Sequence, residues 1–85
     1  LEKRIIHVPF YNIRVTTKMD FENIDDIKDI LKRFSGDIKS KRYEMVPGKD
    51  EKTYSFNLHS RTPDLAEKII GIVEKDKKIL KVSIN

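Results

Sequence analysis

Apolar and polar residues alternate with a period of two in three segments of this chain, and less regularly in a fourth. This alternation predicts half-buried strands, whereas apolar residues spaced three and four apart predict helices. The predicted strands are Val8 to Lys18, Ile38 to Val46, Lys52 to Ser60 and Ile79 to Ile84. The predicted helices are Asn23 to Ser35 and a second that opens at Thr62-Pro63.

The order strand, helix, strand, strand, helix, strand is typical of the α+β ferredoxin-like sandwich. Because each helix has one apolar stripe, we expect both helices on one face of a four-stranded antiparallel sheet. The stripe of the second helix comprises Leu65, Ile69, Ile70 and Val73. The opposite face of the sheet is then polar, with Asn12, Arg14, Thr16, Thr53, Ser55, Asn57 and His59.

Several residues fix the ends and edges of these elements. Gly36 supplies a left-handed stop for the first helix. Thr62 offers a capping hydroxyl to the second, with Pro63 as its first helical residue, and Gly71 would let that helix approach the sheet closely. The second strand is very basic, which is typical of an edge strand. In the last strand, Leu80, Val82 and Ile84 are predicted to point inward.

Composition places the chain among small soluble domains. Its 85 residues make one domain, and it has no cysteine for a disulfide or a thiolate metal site. The 18 Lys+Arg and 14 Asp+Glu residues give a net charge of +4 and are interspersed, which favours a solubilising surface. No apolar run approaches the roughly 18 to 20 residues of a membrane span. A start at Leu1 without a signal peptide predicts a piece excised from a longer protein.

The candidate chemical groups indicate neither a catalytic centre nor a cofactor. The acidic residues around the start of the first helix match its dipole and lack the spacing of a calcium loop, so we predict no metal site there. His7 and His59 have no further ligands at a recognisable spacing. Gly48-Lys49 is a turn rather than a phosphate loop. With no nucleophile–base pair, the sequence predicts a non-catalytic domain without a cofactor.

One nucleic-acid alternative rests on the third strand. Tyr54 and Phe56 faintly match the strand on which RNA-recognition domains of this fold stack bases, but the glycine of that motif is absent. Tyr54 and Phe56 also lie in register with Leu58, and inward packing under the helices explains all three residues, so no nucleic-acid partner is expected.

Three stretches of the chain resemble the C-terminal soluble, ACT-like domain of the MgtC/SapB family of bacterial membrane proteins. Leu1 to Ile5 resembles the charged end of the last membrane helix of that family, and Tyr11 to Val15 resembles its first soluble strand. Glu67 to Val73 and Ile79 to Ile84 resemble its closing helix and strand. The resemblance covers nearly the whole chain through apolar patterns.

This resemblance implies a regulatory or assembly domain at the cytoplasmic face of an inner-membrane protein linked to magnesium homeostasis. The implied partners are a second copy of the domain and the membrane-embedded part of the parent protein. The alternative is an ACT-type sensor of a small molecule such as an amino acid. Sensors of that kind use a glycine in the turn after the first strand, and Lys18 to Glu22 contains none.

If the domain self-associates, the contact is expected at a sheet edge or on the open polar face. On that face, Arg14, Asn57 and His59 are the candidate contact residues.

Overall fold

The computed structural model describes residues 8–85, which form a four-stranded sheet and two helices. The elements in chain order are β1 (Phe10–Thr17), α1 (Ile24–Ser35), β2 (Ile38–Met45), β3 (Lys52–His59), α2 (Leu65–Val73) and β4 (Ile79–Ile84). β1 begins two residues later than predicted, and the other strands agree with the prediction to within one residue. The resemblance at Leu1 to Ile5, and His7, lie outside the described residues.

The strands are antiparallel and follow the order β2-β3-β1-β4. In the chain, α1 connects the inner strand β1 to the outer strand β2, and α2 connects the inner strand β3 to the outer strand β4. This connectivity and strand order confirm the ferredoxin-like fold that the pattern predicted. β2 and β4 are the edge strands, as the basic composition of β2 indicated. Within residues 8–85, no helix is both long enough and apolar enough to cross a bilayer.

The core lies between the sheet and the two helices. Ile13 and Val15 of β1 and Phe56 and Leu58 of β3 point towards the helices and are fully buried. From the helices and the loop before α1, the core receives Phe21, Ile27, Leu31, Leu65, Ile69 and Val73. Because successive strand residues point to opposite faces, the intervening polar residues of β1 and β3 lie on the other side of the sheet.

The start of α2 differs from the prediction. The helix begins at Leu65, and its N-cap residue, Asp64, has a left-handed backbone with φ of 54° and makes no capping hydrogen bond. Thr62 does not cap the helix, because its hydroxyl donates to the carbonyl oxygen of Phe34 at 3.1 Å. The Ser60 hydroxyl donates to the same carbonyl oxygen at 2.7 Å. The segment before α2 is therefore held against the end of α1.

Two inward positions were also predicted wrongly. Ile70 in α2 is 44% exposed, because the buried stripe follows Leu65, Ile69 and Val73 alone. Leu80 in β4 is 46% exposed, because the pairing of β1 with β4 shifts register between Thr16 and Thr17. The shift leaves Leu80 without a partner on β1 and puts Ile79 against the core instead.

Candidate interaction surface on the sheet

The sheet surface that faces away from the helices, called here the open face, is built of rows of residues paired across the strands. The first row joins Ser40 of β2, Asn57 of β3 and Asn12 of β1. The Asn12 side-chain amide donates to the Asn57 side-chain oxygen at 2.6 Å, and the Asn57 amide donates to the Ser40 hydroxyl at 2.7 Å. We call this the amide row. Its hydrogen bonds fix the side chains of three adjacent strands.

The second row places two arginines on either side of a serine. Arg42 of β2 and Arg14 of β1 are both the register partners of Ser55 on β3. We call these three residues the arginine row. Both arginines are exposed, whereas Ser55 is only 9% exposed at the floor between them. The row continues to Ser83 of β4 beside Arg14.

A third row borders the arginine row on its other side. Thr16 and Thr53 face each other across β1 and β3, with their hydroxyl oxygens 3.0 Å apart. Glu44 of β2 and Lys81 of β4 complete the row at the two sheet edges.

The amide and arginine rows line a shallow hollow of about 440 Å³. Its lining consists of polar and charged residues only, namely Asn12, Arg14, Ser40, Lys41, Arg42, Glu44, Ser55 and Asn57. Of the side chains on the open face, Arg14 and Arg42 are cationic and Glu44 is anionic, so the hollow carries net positive charge. Lys41 pairs with the core residue Phe56 and lies on the helix-facing side of β2.

The structure brings together two of the three predicted contact residues. Arg14 and Asn57 both line the hollow, as neighbours in adjacent rows. His59 lies beyond it at the end of β3, where its ring packs against that of Phe10 with the centroids 4.8 Å apart. One ring nitrogen of His59 is 3.2 Å from the carbonyl oxygen of Val8. His59 is therefore a residue of the sheet margin rather than of the hollow.

Sequence reasoning missed the contribution of β2 to this surface. The pairing of β2 with β3 shifts register between Ile38 and Ser40. This shift sets Ser40, Arg42 and Glu44 on the open face, although the composition of the strand gives no clear alternation. The signal that could have found them is the polar period of two from Ser40 to Glu44, read together with the polar positions of β3.

The outer side of β2 is a second exposed surface next to the hollow. As an edge strand, β2 pairs only with β3, and every residue from Lys39 to Met45 is exposed. On its helix-facing side, Tyr43 and Met45 are 53% and 52% exposed. Tyr43 contacts Tyr54 of β3 with ring centroids 5.2 Å apart. Apolar surface thus borders an unpaired strand edge.

The aromatic residues that suggested RNA binding lie on the other side of the sheet. Phe56 is a core residue, and Tyr54 packs partly against the core. The Lys52 ammonium group lies 5.6 Å from the centroid of the Tyr54 ring and donates to the carbonyl oxygen of Phe21 at 2.6 Å. Neither ring is presented on the open face, so base stacking on this face has no support from Tyr54 or Phe56.

The acidic residues around the start of α1 do not converge on one point. Asp25 and Asp26 occupy the first turn, in keeping with the helix dipole, and Asp25 lies 3.7 Å from the Lys28 ammonium group. Asp20 lies 3.2 Å from the ammonium group of Lys78, and the hydrogen bond from Lys78 holds the pKa of that carboxyl below its usual value. Among residues 8–85, no group of three metal-ligating side chains is found.

Several solved structures share the fold of this chain. The ACT domain from the GTP pyrophosphokinase of Chlorobium tepidum superposes with a TM-score of 0.68 and 12% identity, covering 93% of this chain and 100% of that one. The C-terminal domain of the MgtC protein from Mycobacterium tuberculosis gives a TM-score of 0.67 and 16% identity, covering 92% of this chain and 86% of that one. An uncharacterized protein from Thermotoga maritima gives a TM-score of 0.68 and 15% identity, covering 93% of this chain and 96% of that one.

These neighbours confirm the predicted ACT-like fold and its likeness to the C-terminal domain of MgtC. At such low identities the likeness is one of fold. Neither a protein-family model nor a curated protein sequence matches the chain.

Proposed function

We propose that this chain is a non-catalytic regulatory or assembly domain of an MgtC-like inner-membrane protein linked to magnesium homeostasis. In this proposal the domain lies at the cytoplasmic face and acts by contact with a second copy or with the membrane-embedded part of its parent. The observation that carries the proposal is the fold shared with the MgtC C-terminal domain over 92% of this chain. A shared fold alone does not assign a function, so the contact surface must be argued separately.

The outer edge of β2 is the contact surface that the geometry favours. An unpaired edge presents backbone N–H and C=O groups to which a strand of another molecule can add. Tyr43 and Met45 on the same strand would lose exposed apolar surface in such a contact, which favours association. Lys39 and Lys41 oppose it by repulsion between two copies, so we expect a weak and reversible contact.

The open face is the other proposed surface. Arg14 and Asn57 would contact a partner through the hollow, and His59 would contact it at the margin of the sheet. A partner placed on this face would have to be polar, because the lining of the hollow carries no apolar side chain.

The link to a membrane protein is tested by the parent gene. Several apolar runs of about 20 residues encoded upstream of Leu1 are expected, and the tagged parent protein should sediment with the inner membrane. A soluble upstream domain, with the parent in the soluble fraction, would refute an MgtC-like parent while leaving the contact surface to be tested.

Self-association is tested by sedimentation equilibrium of the 85-residue chain. Replacing Tyr43 and Met45 together by Glu should shift the chain to a monomer, because two carboxylates then stand at the edge of β2. Leu80→Glu is the matched control, since Leu80 is similarly exposed on the opposite edge strand. Dissociation by Arg14→Glu, but not by the β2 variant, would move the contact to the open face. A strictly monomeric wild-type chain would exclude self-association.

A second candidate function, an ACT-type sensor of a soluble regulator, is supported by the similarity to the ACT domain of the GTP pyrophosphokinase. Saturable thermal stabilisation by an amino acid would favour it, since a ligand that binds only the folded state raises its stability. A flat response across the twenty amino acids would count against it.

A further inference from the structure

The arginine row leaves three polar side chains close together without partners inside the described part of the chain. Among residues 8–85, the ion pairs are Lys28 with Asp25 and Lys78 with Asp20, so neither Arg14 nor Arg42 pairs with a carboxylate there. The Ser55 hydroxyl lies at the floor between them and makes no side-chain hydrogen bond to residues 8–85. Since no buried side-chain polar atom in this part of the chain lacks a partner, the hydroxyl oxygen is open to the hollow although the residue as a whole is only 9% exposed. By contrast, the amide row on one side and the Thr16–Thr53 pair on the other are hydrogen-bonded.

The spacing of the row suits one shared anion. Neighbouring strands lie about 4.8 Å apart, so two strand spacings separate the backbones of Arg14 and Arg42 by about 10 Å. A guanidinium group on a long, flexible stem can lean over the serine from each side. Two planar forks of N–H donors would then converge above a hydroxyl donor.

Phosphate is the anionic group that matches this set of donors. A guanidinium group binds carboxylate or phosphate oxygens in a bidentate manner. One guanidinium group donates to both oxygens of a carboxylate and leaves none for the second arginine. A terminal phosphate has three oxygens and can accept hydrogen bonds from both guanidinium groups and from the Ser55 hydroxyl. The hollow of about 440 Å³ also leaves room for more than one phosphate group and lies within the usual size range of small-molecule sites.

We propose that the hollow binds a small phosphate-bearing molecule, with one phosphate group over Ser55 between Arg14 and Arg42. The amide row then borders the remainder of the ligand, and the polar lining selects against an apolar one. This proposal goes beyond the proposed function. It is independent of an association at the edge of β2, because the row belongs to a single copy of the chain, whereas a partner on the open face would compete for the same hollow.

The test titrates inorganic pyrophosphate into the 85-residue chain at constant ionic strength, by calorimetry and by amide NMR shifts. Saturable binding is expected, with shifts confined to β1, β2 and β3 around residues 14, 42 and 55. Arg14→Gln and Arg42→Gln should each weaken binding roughly ten- to hundredfold, the range for a lost hydrogen bond to a charged group. The affinity of Arg14→Lys for pyrophosphate should lie between those of wild type and Arg14→Gln, because lysine keeps the charge but cannot donate in a bidentate manner.

Lys75→Gln is the matched control, since it removes the same charge from an exposed position just after α2. If this variant weakens binding as much as Arg14→Gln does, the attraction is non-specific and the proposal fails. Absence of saturable binding, or equal binding of citrate, would also overturn it. Sedimentation with phosphatidic acid vesicles without any binding of pyrophosphate would assign the row to a lipid surface and likewise refute a small ligand. Circular dichroism of each variant separates lost binding from lost fold.

Discussion

Gly71 is a position at which a substitution should stabilise the fold. It lies inside α2, is exposed, and no atom beyond its own stretch of helix lies within 4 Å of the place that a Cβ would occupy. The close approach to the sheet that this glycine suggested is therefore absent. A glycine in this position only adds freedom to the unfolded chain, which disfavours the helix.

We expect Gly71→Ala to raise the free energy of unfolding by about 0.5–1 kcal/mol. Urea denaturation followed by circular dichroism measures the change. Gly36→Ala is the control, because the backbone of Gly36 has φ of 77°, which an alanine adopts only with strain. That variant should be less stable than wild type. A loss of stability in Gly71→Ala would mean that Gly71 has a contact partner.

Thr62 shows the limit of reading single residues from sequence. A threonine followed by a proline is a good start signal for a helix, yet the structure uses the threonine differently. The Thr62 hydroxyl and the Ser60 hydroxyl both bond to the carbonyl oxygen of Phe34, at the end of α1. A local motif cannot reveal this use, because the competing acceptor lies 28 residues away in the chain.

At the scale of elements, one ion pair links two loops at the same end of the sheet. Asp20 lies between β1 and α1, and Lys78 lies between α2 and β4. The backbone N–H of Lys18 also donates to the carbonyl oxygen of Lys78 at 2.9 Å. The ion pair therefore adds to a backbone contact that joins both halves of the fold.

The lowered pKa of Asp20 predicts how this link depends on pH. Because the pKa of the Asp20 carboxyl is lower in the folded chain than in the unfolded chain, the ion pair stabilises the fold at pH values above the unfolded-state pKa. The contribution is lost as the pH falls through the lower, folded-state pKa. At pH 7 we expect Asp20→Asn to melt slightly below wild type, and the difference should vanish in strong acid.

A double-mutant cycle with Lys78→Gln assigns this effect to the ion pair. In the Lys78→Gln background, Asp20→Asn should change the melting temperature little at any pH. An equal effect of Asp20→Asn with and without Lys78 would show that the carboxylate acts through another group. Added salt should shrink the difference at pH 7, because both side chains are exposed to solvent.

At the scale of the whole molecule, the order of elements and the two faces of β1 and β3 followed from sequence periodicity. Strict alternation from Tyr11 to Thr16 and from Thr53 to His59 assigns every side chain to a face. The register of the edge strands did not follow from periodicity. The pairing of each edge strand shifts by one residue, and the alternation of apolar and polar residues does not reveal such a shift. These shifts exposed Leu80 and brought Arg42 beside Ser55, so the sequence predicted part of the candidate site and missed its second arginine.

The edge of β2 also makes a prediction for the stability of the whole chain. If copies associate there in the folded state only, mass action makes the melting temperature rise with protein concentration. For a domain of this size, about 1 kcal/mol shifts the melting temperature by roughly 4–8 °C. A hundredfold increase in concentration should therefore raise the midpoint by several degrees. Scanning calorimetry at two concentrations measures this rise.

The variant with Glu at both Tyr43 and Met45 should melt at one temperature at both concentrations, whereas Leu80→Glu should keep the wild-type rise. This pair of outcomes separates a contact at β2 from a general loss of exposed apolar surface, because both edges carry exposed apolar side chains. A wild-type midpoint that does not change with concentration contradicts association through either edge. Pyrophosphate binding at the arginine row would remain measurable on such a monomer, so the two proposals succeed or fail separately.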